Sequence, residues 1–410
     1  MTTTLSRAST GRRFDLLSLG TFVIVGLPDG MLGTAWPAMR QSFGVPVGDL
    51  GLILLVNTIG SVAVAAFVGR LIQRLGVRVL LAVAGSCAAI GGIGYVAAPG
   101  LWLILAIGPL LGAAAGMMDG GLNTAIALTG RRRLLNLLHG FYGIGTAIGP
   151  LVVTAAILAG SWRPAYLFLV ALDLLVAALW ALHHRRTPAP DVPRPPAGGG
   201  TGHNPDVTDP AATWSRRRVV SVLTMGLIVF FLYTGLEVSA GQWETSYLRG
   251  HLGLSASSAG LAAFGYWGAL TAMRIGLALP ARPVSLRQVV GWGLAASVVA
   301  AALIWWQPST AVVVAGFVIL GAALAGVFPA LIAITPQRIG DERARHAIAW
   351  QVGAAAAGGS GISALIGLLI DRTSLAIVGP AILTLAVLLV LANSALARLA
   401  PIPAGDGPRH

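Results

Sequence analysis

Between Leu101 and Leu128 the chain holds a single charged residue, Asp119. A run that apolar and that long suffices for a helix to cross a bilayer, which takes about 20 residues. Gly112, Gly116, Asp119, Gly120 and Asn123 are spaced by three and four, so they share one face of that helix. Small residues there let a second helix approach closely. A carboxylate at membrane depth is costly in hydrocarbon and is expected to face water or a partner. The stripe is therefore expected to wall a polar path through a helical bundle.

Composition generalises this local reading. The chain is 56% hydrophobic and 10% charged, with mean hydropathy +0.81. Soluble domains carry about 25% charged residues, so a polytopic helical membrane protein is expected. All 27 basic residues are arginine. They fall between apolar segments rather than in one patch, which makes them topology markers and argues against a nucleic-acid partner. Cys87 is the one cysteine, so neither an internal disulfide nor a zinc-type cluster is expected. The segment after the short basic N-terminal stretch lacks a small-residue cleavage site and reads as a retained first helix.

Twelve spans are expected, at 14–37, 50–69, 79–98, 101–128, 136–159, 164–183, 219–243, 256–279, 288–306, 311–335, 346–370 and 375–398. The N-terminus, the even-numbered connections and the C-terminus together hold 22 arginines, and the other side holds Arg40, Arg163, Arg249 and Arg372. By the positive-inside rule both termini are expected in the cytoplasm. Residues 184–218 carry Pro188, Pro190, Pro193, Pro195, Pro196, Gly198 to Gly200, Pro205 and Pro210. This is expected to be a flexible cytoplasmic linker. It separates an N-terminal six-helix half, 1–183, from a C-terminal six-helix half with a short cytoplasmic tail, 219–410. Asp29 and Glu237 lie 208 residues apart, Leu111-Gly-Ala-Ala and Leu320-Gly-Ala-Ala 209 apart, and His139 and Gln351 212 apart. That near-constant offset points to a duplicated unit, and hence to an all-α membrane fold of two pseudo-symmetric six-helix halves.

Further residues carry a family likeness. Gly69-Arg70-Leu-Ile-Gln73-Arg74-Leu-Gly76-Val-Arg78, between spans 2 and 3, resembles the signature loop of the major facilitator superfamily, with Gln73 where an acid is usual. Asp29, Asp119-x3-Asn123, Tyr233-x-Gly235-x-Glu237-x5-Trp243, Tyr266-Trp267-Gly268 with Arg274, and Gly326-x-Phe328-Pro329 are similar to the fucose-permease-like branch. The resemblance implies alternating access around a midplane site, with the Gly69–Arg78 segment as a conformational loop. Fucose permease has a glutamate in span 4 and an amide in span 7, where this chain has Asp119 and Glu237. Sugar specificity does not carry over.

Asp29 lies 16 residues from Arg13 and Asp119 lies 12 from Arg131, which places them about 24 and 18 Å deep at 1.5 Å per residue. Burial disfavours the charged form of a carboxyl, so both are candidates for proton coupling or for a hydrogen bond to solute. The plainer alternative is a neutral acid gluing two helices. Glu237 shares a face with Tyr233, Gly241 and Glu244, and Glu244 is expected in water at the outer interface. Asp173, near the middle of span 6, reads as a neutral acid or one with an unidentified partner rather than as a cavity residue. His139 shares a face with Tyr142 and Thr146 and reads equally as a proton relay or a packing residue. Gly145-x3-Gly149-Pro150 resembles part of an exporter motif and equally suits close helix packing. Trp267, Thr271 and Arg274 share one face of span 8. Asn123, Tyr266, Phe328 and Gln351 fit the lining of a cavity for a small polar solute. Arg274, about 12 Å from the inner edge, is expected to be too shallow to pair with Glu237, about 28 Å from Arg218. On that count an empty Glu237 is expected to be protonated.

No phosphate loop, metal-ligand spacing or nucleophile triad is found in the sequence, so no cofactor, metal or enzymatic activity is expected. The expected function is secondary transport in the cytoplasmic membrane: proton-coupled uptake of a sugar-like or small polar solute by a monomer. Proton-driven export of a metabolite or drug is the alternative. A sensor that binds without transporting is a remoter one.

Overall fold

A computed structural model describes residues 2–127, 131–186, 214–278 and 285–401. Most of the linker expected at 184–218, and the C-terminal tail beyond residue 401, lie outside the described residues. The described residues form α1 (Thr2–Phe43), α2 (Leu50–Ala65), α3 (Val68–Leu75), α4 (Val77–Ala97), α5 (Leu101–Ala127), α6 (Arg132–Leu158) and α7 (Arg163–Arg186). After the linker come α8 (Arg216–Gly250), α9 (Ala256–Ala278), α10 (Leu286–Trp306), α11 (Thr310–Leu324), α12 (Val327–Ile339), α13 (Asp341–Arg372) and α14 (Val378–Leu399).

Eleven helical segments among the described residues are long and apolar enough to cross a membrane. The expected eighth span, α9, is a 23-residue helix outside that set, because Arg274, Tyr266, Trp267 and its glycines lower its hydropathy. With it the twelve-span arrangement stands. Two corrections concern boundaries. The segment Gly69–Arg78 is not a loop: Val68–Leu75 is helical, and Gly76, at φ 74°, turns the chain straight into α4. Span 10 is not one helix either. It breaks after Leu324 and resumes at Val327 as α12, which ends on Gly340 at φ 78°. A positive φ is open to glycine without a Cβ clash, so each glycine permits a sharp helix-to-helix turn.

The chain divides into two compact units, residues 1–197 with 255–264 and residues 198–254 with 265–410. In the first unit, α1 packs on α6 and α2 on α5 through glycine. A Cβ placed on Gly30 would fall 2.0 Å from the Thr146 carbonyl oxygen, and one on Gly145 would fall 2.0 Å from that of Val23. Gly60 meets the Pro109 carbonyl in the same way at 2.0 Å, and Gly112 meets that of Asn57 at 1.8 Å. These pairs touch backbone to backbone, as small residues allow in membranes. The core beneath them is built on Phe22, Leu80, Leu81, Leu122, Leu138 and Trp180.

In the second unit, α8 packs on α13 and α14, and α10 on α11 and α14. The Ser215 hydroxyl caps α8 by accepting from the Arg218 N–H at 3.3 Å. With 35 residues, α8 is about 52 Å long, well beyond the roughly 30 Å hydrocarbon core.

Candidate functional site

The glycine contacts of the first unit set the position of its acids. Because α1 and α6 touch along Gly26, Gly30, Gly145 and Gly149, the Tyr142 hydroxyl of α6 reaches Asp29 of α1 and donates a short hydrogen bond to it. His139, one turn earlier on α6, sets its ring edge-on to Phe22 at 6.1 Å. On α5 the glycines of the expected polar wall serve a different end. Gly112 and Gly116 lie against Asn57 and Ser61 of α2, and Gly120 lies against Val68. The stripe is a helix contact, and Asp119 projects from its edge. Asn123 Nδ2 donates to Asp119 Oδ1 at 2.9 Å, one turn along the same helix. The other end of that amide, Asn123 Oδ1, is buried without a donor. Asp29 and Asp119 are both exposed. A carboxylate exposed at this depth faces water rather than lipid tails, given its cost in hydrocarbon. Asp173 is buried on α7, whose backbone lies against Gly85 of α4.

In the second unit a proline sets the geometry. Pro329 has no N–H, so the Ala325 carbonyl four residues earlier has no helical donor. The Leu324 carbonyl, at the end of α11, is left over in the same way. Side chains lie against both, and the single Tyr233 proton is shared with a carboxylate. Arg274 Nε donates to the Ala325 carbonyl at 3.1 Å, and the Tyr233 hydroxyl lies 2.9 Å from the Leu324 carbonyl. Arg274 also donates to both Glu237 oxygens, at 3.1 and 3.2 Å, and Tyr233 makes a short hydrogen bond to the same carboxylate. The Tyr266 hydroxyl donates to the Glu237 main-chain carbonyl at 2.7 Å. Phe328 lies against the Tyr233 ring at 5.8 Å. Trp267 sets its ring edge-on to Tyr266 and fills the space beside Gly241, where a Cβ would fall 2.3 Å from it.

The Glu237–Arg274 pair overturns the expectation that the two lie at different depths. Counted from the turn that joins α8 to α9, Glu237 lies about 20 Å down and Arg274 about 27 Å. The helices run antiparallel, and side chains lean toward their own helix N-terminus. Glu237 and Arg274 therefore lean toward each other and close the gap. Counting from Arg218 misled because α8 is longer than the membrane is thick. Glu237 therefore has a guanidinium within hydrogen-bond distance of both its oxygens, a partner that the depth count had placed out of reach. Glu244 is a second correction: it is fully buried rather than in water.

The remaining expected residues are dispersed. Gln351 is buried on α13, where its amide oxygen accepts from Thr335 at 3.2 Å. It borders a small cavity with Arg338 and Gly226, separate from the Glu237 cluster. Arg70 stacks over Phe67 at 5.8 Å, Arg74 is exposed and Arg78 is buried. The sequence reading passed over the backbone carbonyls of Leu324 and Ala325, which Pro329 marks.

A family model described as Major Facilitator Superfamily matches residues 18–350. The chain belongs to that superfamily. Solved facilitators resemble it in fold. The nucleoside transporter NupG has a TM-score of 0.70 at 14% identity, over 95% of this chain and 98% of that one. The transporter FucP, in its outward conformation, has a TM-score of 0.61 at 15% identity, over 94% and 98%. The peptide transporter POT, in complex with sulfate, has 0.69 at 14% identity, over 95% of each chain. At these identities the likeness shows the fold alone. Among curated proteins, Bypass of stop codon protein 6 of Saccharomyces cerevisiae is 22% identical over 273 residues, 62% of this chain and 54% of that protein. This facilitator spans about half the length of that relative. It is a multi-pass membrane protein of a transporter family.

Proposed function

We propose that this facilitator is a proton-linked secondary transporter that takes up a small, neutral, polar solute by alternating access. The observation that carries the reading is the cluster of Glu237, Arg274, Tyr233 and Tyr266 around the break in span 10. It offers donors and acceptors together, and its one formal charge pair cancels. That suits a hydroxyl-rich solute better than a net cation or anion. Asp119 supplies a carboxylate open to water and held by a neutral amide, a group able to gain or lose a proton without stranding a cation. Names among the fold neighbours widen the solute class from sugars to nucleosides. The glycines of the exporter-like segment in span 5 are occupied in packing against α1, so they add nothing to the export alternative.

The proposal includes a monomer in the cytoplasmic membrane with both termini inside. A thermal-shift screen of purified protein against sugars, polyols, nucleosides and cationic drugs tests the solute class. A true ligand at 100 times its Kd stabilises by about 2.7 kcal/mol. Counterflow in proteoliposomes then separates transport from binding. Stabilisation by cationic drugs alone would overturn the neutral-solute reading. For orientation, a cysteine at Gly199 in a Cys87→Ala background should react with an impermeant reagent only once the cytoplasmic face is opened.

A further inference from the structure

Glu244 is fully buried, and neither of its carboxylate oxygens has a hydrogen-bond donor among the described residues. It sits in a stretch of α8, Ser239 to Leu248, in which every residue is buried. The stretch is fastened around Glu244 on several sides. Ser239 bonds to Ser363 at 2.8 Å, and Trp243 Nε1 donates to the Ser363 carbonyl at 3.2 Å. The Tyr247 hydroxyl donates to the Ile304 carbonyl at 3.2 Å, and the Leu254 N–H folds back onto the Leu248 carbonyl at 3.0 Å.

Among the described residues no charged or titratable side chain bonds or pairs with Glu244, and Arg287 of α10 lies in that helix's first turn, away from Ile304. On α8, Glu237 is two turns away and engaged with Arg274, and Arg249 makes no ion pair with Glu244. On α9, Tyr266 is committed to the Glu237 carbonyl and Arg274 to Glu237 and Ala325. On α13, Asp371 and Arg372 are exposed at one end, and Asp341, Glu342, Arg343 and His346 lie at the other. On α12, Arg338 lies in the last turn, and on α14, Arg398 is exposed near the helix end. Neither α11 nor the 3-10 turn Leu375–Ile377 carries a charge.

An ionised carboxylate without donor or cation is far costlier to bury than a neutral carboxyl with one unmade hydrogen bond. We propose that Glu244 is a second proton-binding site of this facilitator: it carries a proton in this conformation and exchanges it with water when the end of α8 opens. The step adds one proton to one carboxylate oxygen and later returns it to solvent, with no change of oxidation state. The inference deepens the proton-linked reading and rests on it for its role in transport. Between the two acids along α8, Gly241 lies against the Trp267 and Tyr266 rings.

Infrared spectroscopy of the full chain in lipid nanodiscs at neutral pH tests this without any solute. The carbonyl stretch of protonated carboxyl should lose one component in Glu244→Gln and none in Glu237→Gln. Glu244→Asp, which keeps the titratable group, should retain a displaced component and guards against a misfolded glutamine variant. In heavy water the Glu244 component should shift, more slowly than the amide bands of exposed backbone. An unchanged band in Glu244→Gln means an ionised Glu244 and overturns the proposal. A component that never shifts, while the exposed amide bands do, means a sealed structural acid and overturns it equally. Neither failure touches the transport reading, which counterflow decides by itself.

Discussion

In the first unit Asp29 meets a tyrosine hydroxyl and Asp119 an asparagine amide. In the second, Glu237 meets a guanidinium that is itself tied to a backbone carbonyl. The units share a helical plan and an acid in corresponding spans, yet they hold that acid by different chemistry. A carboxylate held by an amide can change protonation with little rearrangement. A carboxylate held by arginine cannot be neutralised without leaving the arginine unmatched. Within the proposed function, we therefore assign proton exchange to acids such as Asp119 and solute recognition to the paired cluster.

Breaking the ion pair should give the largest effect. Arg274→Met leaves Glu237 largely buried and unmatched, and about 3 kcal/mol of stability should be lost, read from unfolding midpoints in detergent. The double variant Glu237→Gln with Arg274→Met should recover part of that loss. A single-variant loss no greater than that of an ordinary surface change would mean that the pair is open to water and that the contrast between units is false.

The two tyrosines sharpen the contrast. Tyr233→Phe removes the one hydroxyl proton shared between the Glu237 carboxylate and the Leu324 carbonyl, so about 2 kcal/mol should go. Tyr142→Phe faces an exposed carboxylate that water can serve, and its loss should stay under about 1 kcal/mol. Equal losses would place both acids in similar surroundings. Glu237→Gln should weaken solute binding uniformly between about pH 5 and 8, because it leaves Arg274 with one acceptor oxygen in place of two. A binding curve that merely flattens with pH would restore a neutral Glu237.

Asp119→Asn should have the smallest effect on the fold, under about 0.5 kcal/mol for an exposed substitution. Its effect on coupling is separate: accumulation driven by a pH gradient should vanish while solute exchange persists. Unchanged pH-driven accumulation would move the coupling role to another acid, with Glu244 next in line.

Much of the fold was open to reading before any coordinates, because length and apolarity decide a membrane span almost alone. The two helix breaks escaped for a local reason: Val68–Leu75 and Val327–Ile339 are each short pieces bounded by a turn that hydropathy does not register. The glycine stripes were legible as contacts, but which partner they touch was not. Gly112 could have faced a water path as easily as Asn57. Depth counts failed for Glu237 and Arg274, since a count needs a fixed membrane edge and α8 overshoots it. Glu244 misled for a related reason. Nearness to a helix end says nothing about whether that end is wrapped by its neighbours.

The freed carbonyls of Leu324 and Ala325 have a consequence for how such a site can be retuned. A main-chain oxygen belongs to no side chain, so substitutions at positions 324 or 325 alter shape there and leave the acceptor in place. Half of what holds Arg274 and Tyr233 is therefore insulated from single codon changes, save one. Replacing Pro329 would return an N–H to the helix, reclaim the Ala325 oxygen for the backbone and release the arginine to seek another partner. A shift in solute preference within descendants of this chain would then run through one imino acid that carries no charge and no donor.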